Sequence, residues 1–398
     1  MSRETLADSF FNAPMNIAVI IEWIEAETLD PEDLFFFLIG SKCQGQVVEL
    51  RDALNERNIN GIGGVFYKVF KDNEIHDDAC VVMRLAGCAP PVLVEGLCET
   101  AVSLEQLPAG ADLLPGTSLL LLIDSRSTES QDFISRVYDR YGNRVSYLGG
   151  GAGLTATYEP ADYENQAWVF TTAGGAIEKS AAVAFIKTPL AVAARHGWKR
   201  KHGPLVATRA EGNHLLELNW RPAFDVYKEL YEEEYGEELT TQGIRDFQAI
   251  KFPLGVQKSN AEDLVRLPSE HLPGGGLLCL GGVHNNSVLY TLTGGAEDLF
   301  EAAAEAGRAS EDALEIPVRE YLVFDCVTRY LFLEEAFKQE IKAVSSGSLS
   351  NSSGSLSNSS DQSLPPVYGA LAEGELASGA GGYVEMMAKT IAVGALGT

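Results

Sequence analysis

A cysteine and an arginine, Cys326 and Arg329, are three residues apart and follow an apolar run, Tyr321 to Phe324, that predicts a buried strand. At the start of a helix this spacing lets both side chains face the ends of the strands. A guanidinium there can bind a carboxylate through two parallel hydrogen bonds, and a thiol could act as a nucleophile. The alternative is a core cysteine and an arginine paired with a structural acid. We interpret both as candidate ligand-binding residues.

Two carboxylates, Glu373 and Glu375, flank Gly374. In an extended segment, residues two apart point to the same face. Such a pair could bind the ammonium group of a ligand or act as acid and base, whereas the alternative is a solvated loop. We interpret both glutamates as candidate ligand-binding residues.

A basic stretch, residues 195–202, interrupts an otherwise acidic chain. It contains His196, although a lone histidine is more often structural. Trp198 either covers a pocket or seals a junction between domains. Further along, Arg209 either binds an anion or forms a surface ion pair. Trp198 and Arg209 are therefore candidate ligand-binding residues.

Two glycine clusters, at residues 61–64 and 149–153, are predicted to form turns whose backbone N–H groups could bind an anion. From the second cluster we select Gly149, Gly150 and Gly151 as candidate ligand-binding residues. Neither cluster is followed by Lys-Ser or Lys-Thr, and neither has the G-x-G-x-x-G spacing. The clusters therefore do not indicate a nucleotide site.

Metal ligands at recognisable spacing are not found in the sequence. The six cysteines include no C-x-x-C pair and have no histidine at zinc spacing. The acidic runs Asp77–Asp78 and Glu232–Glu234 lack the alternation of a calcium loop. We predict no metal site, and these spacings indicate no cofactor.

These residues belong to three segments that share one layout, namely a buried strand, a helix, a glycine turn and another strand. We therefore predict an α/β (α+β) fold in which mixed sheets are covered by helices. The ends of strands in such sheets commonly bind ligands. The opening strands are residues 34–39, 119–123 and 321–324, and the closing strands are residues 79–85, 181–186 and 390–396.

We place a domain boundary near residue 216, before the amphipathic helix that follows Trp220-Arg221-Pro222. The prediction is a lead-in at residues 1–33, a first domain at 34–216 and a second at 217–398. Residues 345–363 contain the heptapeptide Ser-Ser-Gly-Ser-Leu-Ser-Asn twice in tandem. Because this segment cannot contribute to a core, we expect a disordered insertion in the second domain.

Composition restricts the possible partners. A formal net charge of −26 argues against binding to nucleic acid or to an anionic membrane. The longest apolar runs are far shorter than the roughly 20 residues of a membrane helix, and the N-terminus lacks the pattern of a secretion signal. We expect a cytoplasmic protein, whose acidity fits either an ordinary acidic protein or a salt-rich host.

Several motifs resemble the FIST domains. Residues 195–198, 206–210, 216–218 and 222–227 resemble the junction between a FIST N-terminal and a FIST C-terminal domain. The segment 147–153 is similar to the GG-x-AG motif, and 324–329 to F-x-C-x-x-R. Gly374-Glu375-Leu376 and Lys389-Thr390 resemble later motifs, with Ala388 where the family is expected to have Asn.

The resemblance implies a sensory module that binds a small molecule such as an amino acid. Because we expect no fused effector domain, the signal would pass to a separate partner protein. Some FIST proteins bind haem through a histidine, which makes His196 a candidate axial ligand and a gas sensor an alternative. A hydrolase or transferase using Cys326 is a second alternative, but no base for it is readable. We expect a protein that is not an enzyme.

Overall fold

The computed structural model describes residues 8–26, 28–97, 102–110, 113–125, 127, 129–154, 168–259, 261–346, 364–378 and 384–397. In this part of the chain, no helix is long and apolar enough to cross a membrane.

The first unit is built around a strand of consecutive buried apolar residues that runs parallel to the strand after its helix. The unit's last strand lies antiparallel on the other side of that first strand. The helix between them buries Val47, Leu50 and Leu54, spaced as one helical face. Its elements are β1 (Ser9–Asn12), α1 (Ile17–Glu25), β2 (Asp33–Gly40), α2 (Val47–Asn55), β3 (Asn60–Phe66), β4 (Val69–Lys71), β5 (Glu74–His76) and β6 (Cys80–Ala86).

The second unit repeats this arrangement. Its opening strand is parallel to the strand after the helix and antiparallel to the closing strand. The helix buries Phe133, Ile134, Val137 and Tyr141 against the sheet. The elements are β7 (Val92–Val94), β8 (Ser118–Asp124), α3 (Ser130–Tyr141), β9 (Ser146–Ala152), β10 (Val169–Thr171), β11 (Gly175–Ala176) and β12 (Ala181–Ile186).

The first strand of the third unit, β13 (Leu190–Arg195), is followed by a long insertion before the unit continues. Strands β15, β16, β18, β19, β20 and β21 of the insertion pair around a closed ring and have their own apolar core. We call this insertion the barrel. It is composed of β14 (Lys199–Arg200), β15 (Leu205–Glu211), β16 (His214–Leu218), β17 (Arg221–Pro222), α4 (Ala223–Tyr235), α5 (Thr241–Arg245), β18 (Leu254–Val256), β19 (Leu264–Leu272), β20 (Gly276–Leu280) and β21 (Val288–Thr293).

After the barrel the third unit resumes with the same pairing of parallel and antiparallel strands. Its helices pack over one face of the sheet, together with a helix that precedes the unit's central strand. The elements are α6 (Ala296–Asp312), β22 (Val318–Cys326), α7 (Val327–Leu333), α8 (Phe337–Ser346), β23 (Val367–Ala372), β24 (Glu375–Ser378), β25 (Val384–Met387) and β26 (Ile391–Gly397).

The three units exchange hairpins in a cycle. The hairpin of the second unit, β10–β11, joins the first sheet beside β3. That of the third unit, β24–β25, joins the second sheet beside β9, and that of the first unit, β4–β5, joins the third sheet beside β23. Each six-stranded sheet is therefore completed by a hairpin from another unit.

The glycine clusters predicted as turns are buried strands, β3 and β9. These strands need glycine because neighbouring atoms leave no room for a side chain. A Cβ atom at Gly149 would lie 1.8 Å from the Leu121 carbonyl oxygen, and one at Gly151 would lie 2.4 Å from the Glu373 carbonyl oxygen. In β9 glycine lets other backbone approach, whereas in β3 it makes room for side chains, such as the Phe170 ring 2.5 Å from a Cβ at Gly63. In neither strand does it reverse the chain.

Mixed sheets covered by helices confirm the predicted α/β fold, and the strand–helix–strand layout of the three segments is present. Strands from both sides of residue 216 share the second and third sheets. The predicted division into domains at 34–216 and 217–398 stays a prediction. Of the serine-rich insertion 345–363, Ser345 and Ser346 end α8 and the rest lies outside the described residues.

Candidate functional site

The end of β22 and the first turn of α7 place an acid, a thiol and a guanidinium close together. Asp325 and Cys326 are the last residues of the strand, and Arg329 lies in the helix that follows. Arg329 is completely buried, and its Nε is 3.4 Å from Asp325 Oδ1. Nε also donates to Glu340 Oε1 at 3.0 Å, and Nη2 donates to the same oxygen.

The other N–H groups of Arg329 bind backbone carbonyls. Nη1 donates to the carbonyl oxygens of His196 at 2.6 Å and Lys389 at 3.0 Å, and Nη2 donates to that of Leu299 at 3.3 Å. All five donors of the guanidinium are thus satisfied by protein atoms. Arg329 holds three chain segments together, and the contacts do not favour its predicted role as a direct ligand for a carboxylate, which stays untested.

Behind Arg329 lies a cluster of buried acids. Burial raises the pKa of Asp325 and of Glu375 well above the ordinary range, and it also raises the pKa of Glu340. Glu375 Oε2 accepts a hydrogen bond from the Thr390 backbone N–H at 3.2 Å. Glu375 Oε1 and Glu340 Oε2 have no hydrogen-bond partner among the described residues. Carboxyl groups in such surroundings are held largely in their neutral form.

Cys326 also lies in this cluster. Its Sγ is 3.1 Å from the Thr328 hydroxyl oxygen. Burial raises the pKa of the Cys326 thiol far above its usual range. Because the thiolate is the reactive form, this environment makes Cys326 a poor nucleophile. The alternative of a Cys326-dependent hydrolase or transferase is therefore not favoured.

Lys389 completes the cluster from the loop between β25 and β26. Its side chain is fully buried, and Nζ lies 4.4 Å from the centroid of the Trp198 ring. The Trp198 indole Nε1 donates to the Lys389 carbonyl oxygen at 3.3 Å. Trp198 therefore covers the amine of Lys389 on one side, and its predicted role as a ligand-binding residue stays a prediction.

A cavity of about 240 Å³ adjoins the cluster, where the barrel meets the third unit. Two residues join cavity and cluster: Thr390, which binds Glu375, and His196, whose carbonyl oxygen binds Arg329. Both apolar and charged side chains form its wall. The lining residues are Ala194, Arg195, His196, Ala261, Glu262, Asp263, Leu264, Val265, Ala377, Glu385, Met387 and Thr390.

His196 is the most enclosed titratable group of this wall. Its Nδ1 accepts a hydrogen bond from the Trp198 backbone N–H at 2.8 Å, which places the proton of the neutral ring on Nε2. Nε2 itself has no hydrogen-bond partner within the described part of the chain. Burial, together with the positive charge of Arg329, lowers the pKa of His196 to about 4. The ring is therefore neutral near pH 7.

This tautomer does not suit a haem ligand. A histidine that binds a metal through Nε2 normally donates the N–H of Nδ1 to another group, whereas His196 Nδ1 accepts a hydrogen bond. The cavity of about 240 Å³ is also smaller than the roughly 300–1,000 Å³ of pockets for drug-sized ligands. The residues present do not fit haem, and we derive no role for it.

Charges of both signs surround the cavity. Glu262 Oε2 accepts from the His196 backbone N–H at 3.2 Å, and burial raises the pKa of Glu262. Glu385 binds Lys258 at 2.7 Å through Oε1, while its Oε2 lacks a hydrogen-bond partner among the residues described. Arg195 contributes a guanidinium that is partly exposed. The wall can therefore bind an ammonium group and a carboxylate at once.

Other predicted site residues lie elsewhere. Arg209 is exposed on the barrel and pairs with Glu217 at 3.1 Å, as in the surface alternative. Glu373 is only half-buried, in contrast to the fully buried Glu375. Gly149, Gly150 and Gly151 lie in β9, where Gly150 pairs with Glu375 across the strands.

Sequence reasoning missed Glu340, Lys389 and Glu262 as members of the site. Glu340 reaches Arg329 from a separate helix, α8, and the spacing of the two residues in the sequence does not predict this contact. Glu262 comes from the barrel and is equally remote. Lys389 could have been predicted, because the Lys389-Thr390 motif directly precedes the last strand of the third unit and so lies at an end of the sheet.

Comparison with protein families gives two adjoining matches. A model described as the FIST N domain matches residues 35–221, and one described as the FIST C domain matches residues 223–378. No curated protein matches the chain.

Proposed function

We propose, from the premise that this chain belongs to the FIST family, that it is a sensory module whose cavity beside His196 binds a small amino-acid-like metabolite. FIST domains are generally regarded as sensory and signal-transduction domains. The ligand, the signalling partner and a cytoplasmic location are the finer parts of the proposal.

The observation that carries the proposal is the composition of the cavity wall. Glu262 and Glu385 can accept hydrogen bonds from an ammonium group, whereas the partly exposed guanidinium of Arg195 can donate to a carboxylate. Apolar side chains such as Leu264 and Val265 lie between them. A volume of about 240 Å³ suits a molecule smaller than a typical drug.

Two contacts offer a route from the cavity to the rest of the fold. His196 and Thr390 line the cavity, and both are bound to the buried cluster behind it, through Arg329 and Glu375 respectively. A ligand that favours one arrangement of these residues would shift the equilibrium of the elements they join. Because β24, the barrel and α7 meet here, the surface presented to a partner protein would change.

The first test is thermal unfolding of the full chain in the presence of single amino acids and related metabolites. At a ligand concentration about a hundredfold above the dissociation constant, binding should stabilise the protein by about 2.7 kcal/mol. The variants Arg195→Gln and Glu262→Gln should lose this shift. Arg209→Gln is the matched control, because Arg209 is exposed and remote from the cavity.

A cognate ligand that stabilises Arg195→Gln and Glu262→Gln as strongly as the unmodified chain would place the binding site elsewhere. The absence of any shift across charged, zwitterionic and neutral metabolites would contradict the proposed ligand class. A ligand that passes this test can then be used to identify the partner by affinity capture on the immobilised chain. The partner is expected to be retained only in the presence or only in the absence of that ligand.

A further inference from the structure

The amine of Lys389 is a buried nucleophile that the proposed cavity does not use. Its Nζ is fully enclosed and has no hydrogen-bond partner among the residues that the structure describes. We propose that Lys389 captures small uncharged aldehydes as a protonated imine, which makes the buried cluster a second, covalent ligand site. This inference is independent of what binds beside His196.

Two aromatic rings hold the amine. Nζ lies 4.4 Å from the centroid of the Trp198 ring and 5.5 Å from that of Phe332. Ring faces attract a cation, yet they form no conventional hydrogen bond with its N–H groups. Buried lysines are ordinarily paired with a hydrogen-bonded carboxylate. In Lys389 the nitrogen lone pair is therefore available whenever the amine is neutral.

The surroundings also favour the neutral amine. Removal from water lowers the pKa of Lys389 to about 7, and the charge of Arg329 acts in the same direction, against the opposing effects of Cys326, Glu340 and Glu375. An exposed lysine is neutral in only about one molecule in 2,500 at pH 7. Desolvation beside another cation is an established way to activate a lysine as a nucleophile.

The backbone at this position is strained and firmly held. Lys389 has φ +55°, in the left-handed region that long side chains rarely adopt. Its carbonyl oxygen accepts hydrogen bonds from Arg329 and from Trp198. Backbone strain of this kind persists only where the surroundings impose it, and it is concentrated at functional sites.

We assign the proton transfers to Glu375, a buried acid of the same cluster that acts on Lys389 electrostatically. Its raised pKa keeps the carboxyl protonated, and Oε1 has no other partner within the described residues. The neutral Nζ attacks the aldehyde carbon, and the carbonyl oxygen takes up the proton of Glu375. The nitrogen then returns a proton to Glu375, which donates it again as the hydroxyl leaves as water. The products are a protonated imine, one water and a Glu375 carboxylate.

The surrounding charges select the class of carbonyl compound. The protonated imine is a cation, which the rings of Trp198 and Phe332 and the new Glu375 carboxylate stabilise. A 2-oxo acid would bring a second negative charge among Asp325, Glu340 and Glu375, and the carbamate formed from carbon dioxide would do the same. The site therefore favours a small aldehyde without charge.

Phe332 offers a route to the amine. The ring contacts Nζ and is itself only half-buried, at the C-terminal end of α7. The residue after this helix, Glu334, has φ +51°, so the helix cannot continue regularly past this point. Because Phe332 lies between solvent and the amine, we expect aldehyde to reach Lys389 by displacement of this ring.

The experiment treats the full chain with propionaldehyde and cyanoborohydride near pH 7, and maps the reduced adducts by mass spectrometry of peptides. Lys389 should be modified at least about tenfold faster than the exposed Lys42 and Lys199, since far more of its amine is neutral. Phe332→Ala should increase the rate at Lys389 severalfold. Pyruvate at equal concentration should modify Lys389 much more slowly.

The same chain unfolded in urea is the matched control, because there Lys389 regains an ordinary pKa and its preference should disappear. The proposal is overturned if Lys389 of the unmodified chain stays unreacted while exposed lysines react. It is also overturned if the preference for Lys389 persists in urea, or if pyruvate reacts as fast as propionaldehyde. The peptide map of the unmodified chain decides the matter even if a variant does not fold.

Discussion

Arg329 shows how much of the candidate site serves to hold the chain in place. Its guanidinium is completely buried and donates to Glu340 and to three backbone carbonyls. An arginine with every donor satisfied fixes the positions of His196 and Lys389, and the side-chain atoms His196 Nε2 and Lys389 Nζ have no hydrogen-bond partner among the described residues. We therefore expect the side chains of His196 and Lys389, and not that of Arg329 itself, to meet a ligand.

His196 should make the stability of the fold depend on pH. Its pKa is lowered to about 4 from an ordinary 6.5. Between these values the unfolded chain binds a proton that the folded chain does not, so stability falls as the pH falls from about 6.5 to about 4, by up to about 1.4 kcal/mol for each pH unit. Urea unfolding at a series of pH values measures this slope.

His196→Gln removes the titrating group and should flatten the dependence in that range. His214→Gln is the control, because His214 is exposed on the barrel. Equal slopes for the unmodified chain and His196→Gln would show that the folded His196 binds its proton as easily as the unfolded one.

Among the elements, β9 carries the most specific requirement for glycine. Gly149 pairs with Leu121 of the neighbouring strand, and a Cβ atom there would lie 1.8 Å from the Leu121 carbonyl oxygen. Gly149→Ala should therefore destabilise the fold by at least about 2 kcal/mol, through forced displacement of backbone. Denaturant unfolding gives the free energy directly.

Gly45→Ala is the matched control, since an added Cβ at Gly45 meets nothing within 4 Å. Its effect should stay below about 1 kcal/mol in either direction. A Gly149→Ala variant as stable as Gly45→Ala would mean that β8 and β9 can separate without cost.

The elements also show what the sequence can and cannot reveal. The opening and closing strands of each unit were predictable, because runs such as residues 119–123 are continuously apolar and are buried on both faces. The clusters at Gly61 and Gly149 were misread as turns, since local glycine content does not distinguish a reversal from a crowded strand. Asp325, Cys326 and Arg329 could be placed at a strand end, whereas the partner of Arg329, Glu340, depended on tertiary packing.

At the scale of the whole molecule, the exchanged hairpins make the three units interdependent. A fragment ending at Lys187 contains the first two units by sequence, but it lacks β24, which covers the outer edge of β9, and β23, which pairs with β4. The central core also includes Phe324 and Leu396 of the third unit. We expect this fragment to unfold without a sharp cooperative transition.

Tryptophan fluorescence during urea titration, to which the fully buried Trp168 contributes in both chains, provides the measurement. The full chain should give a steep transition at this probe, and the fragment ending at Lys187 a shallow one. Supplying residues 188–398 as a second polypeptide should restore part of the steepness. A lone fragment with the midpoint and slope of the full chain would show that the first two units are self-sufficient.

The cyclic exchange of hairpins also sets an order for folding during synthesis. All strands of the first sheet lie between Ser9 and Ala176, so this sheet can form while the ribosome is still translating the barrel. The second sheet must wait for β24 and β25, and the third for β26 near the C-terminus. Until then the nascent chain carries β9 as an open, glycine-rich edge, the kind of surface that invites aggregation. Slow translation or shortage of chaperones should therefore harm the second sheet first.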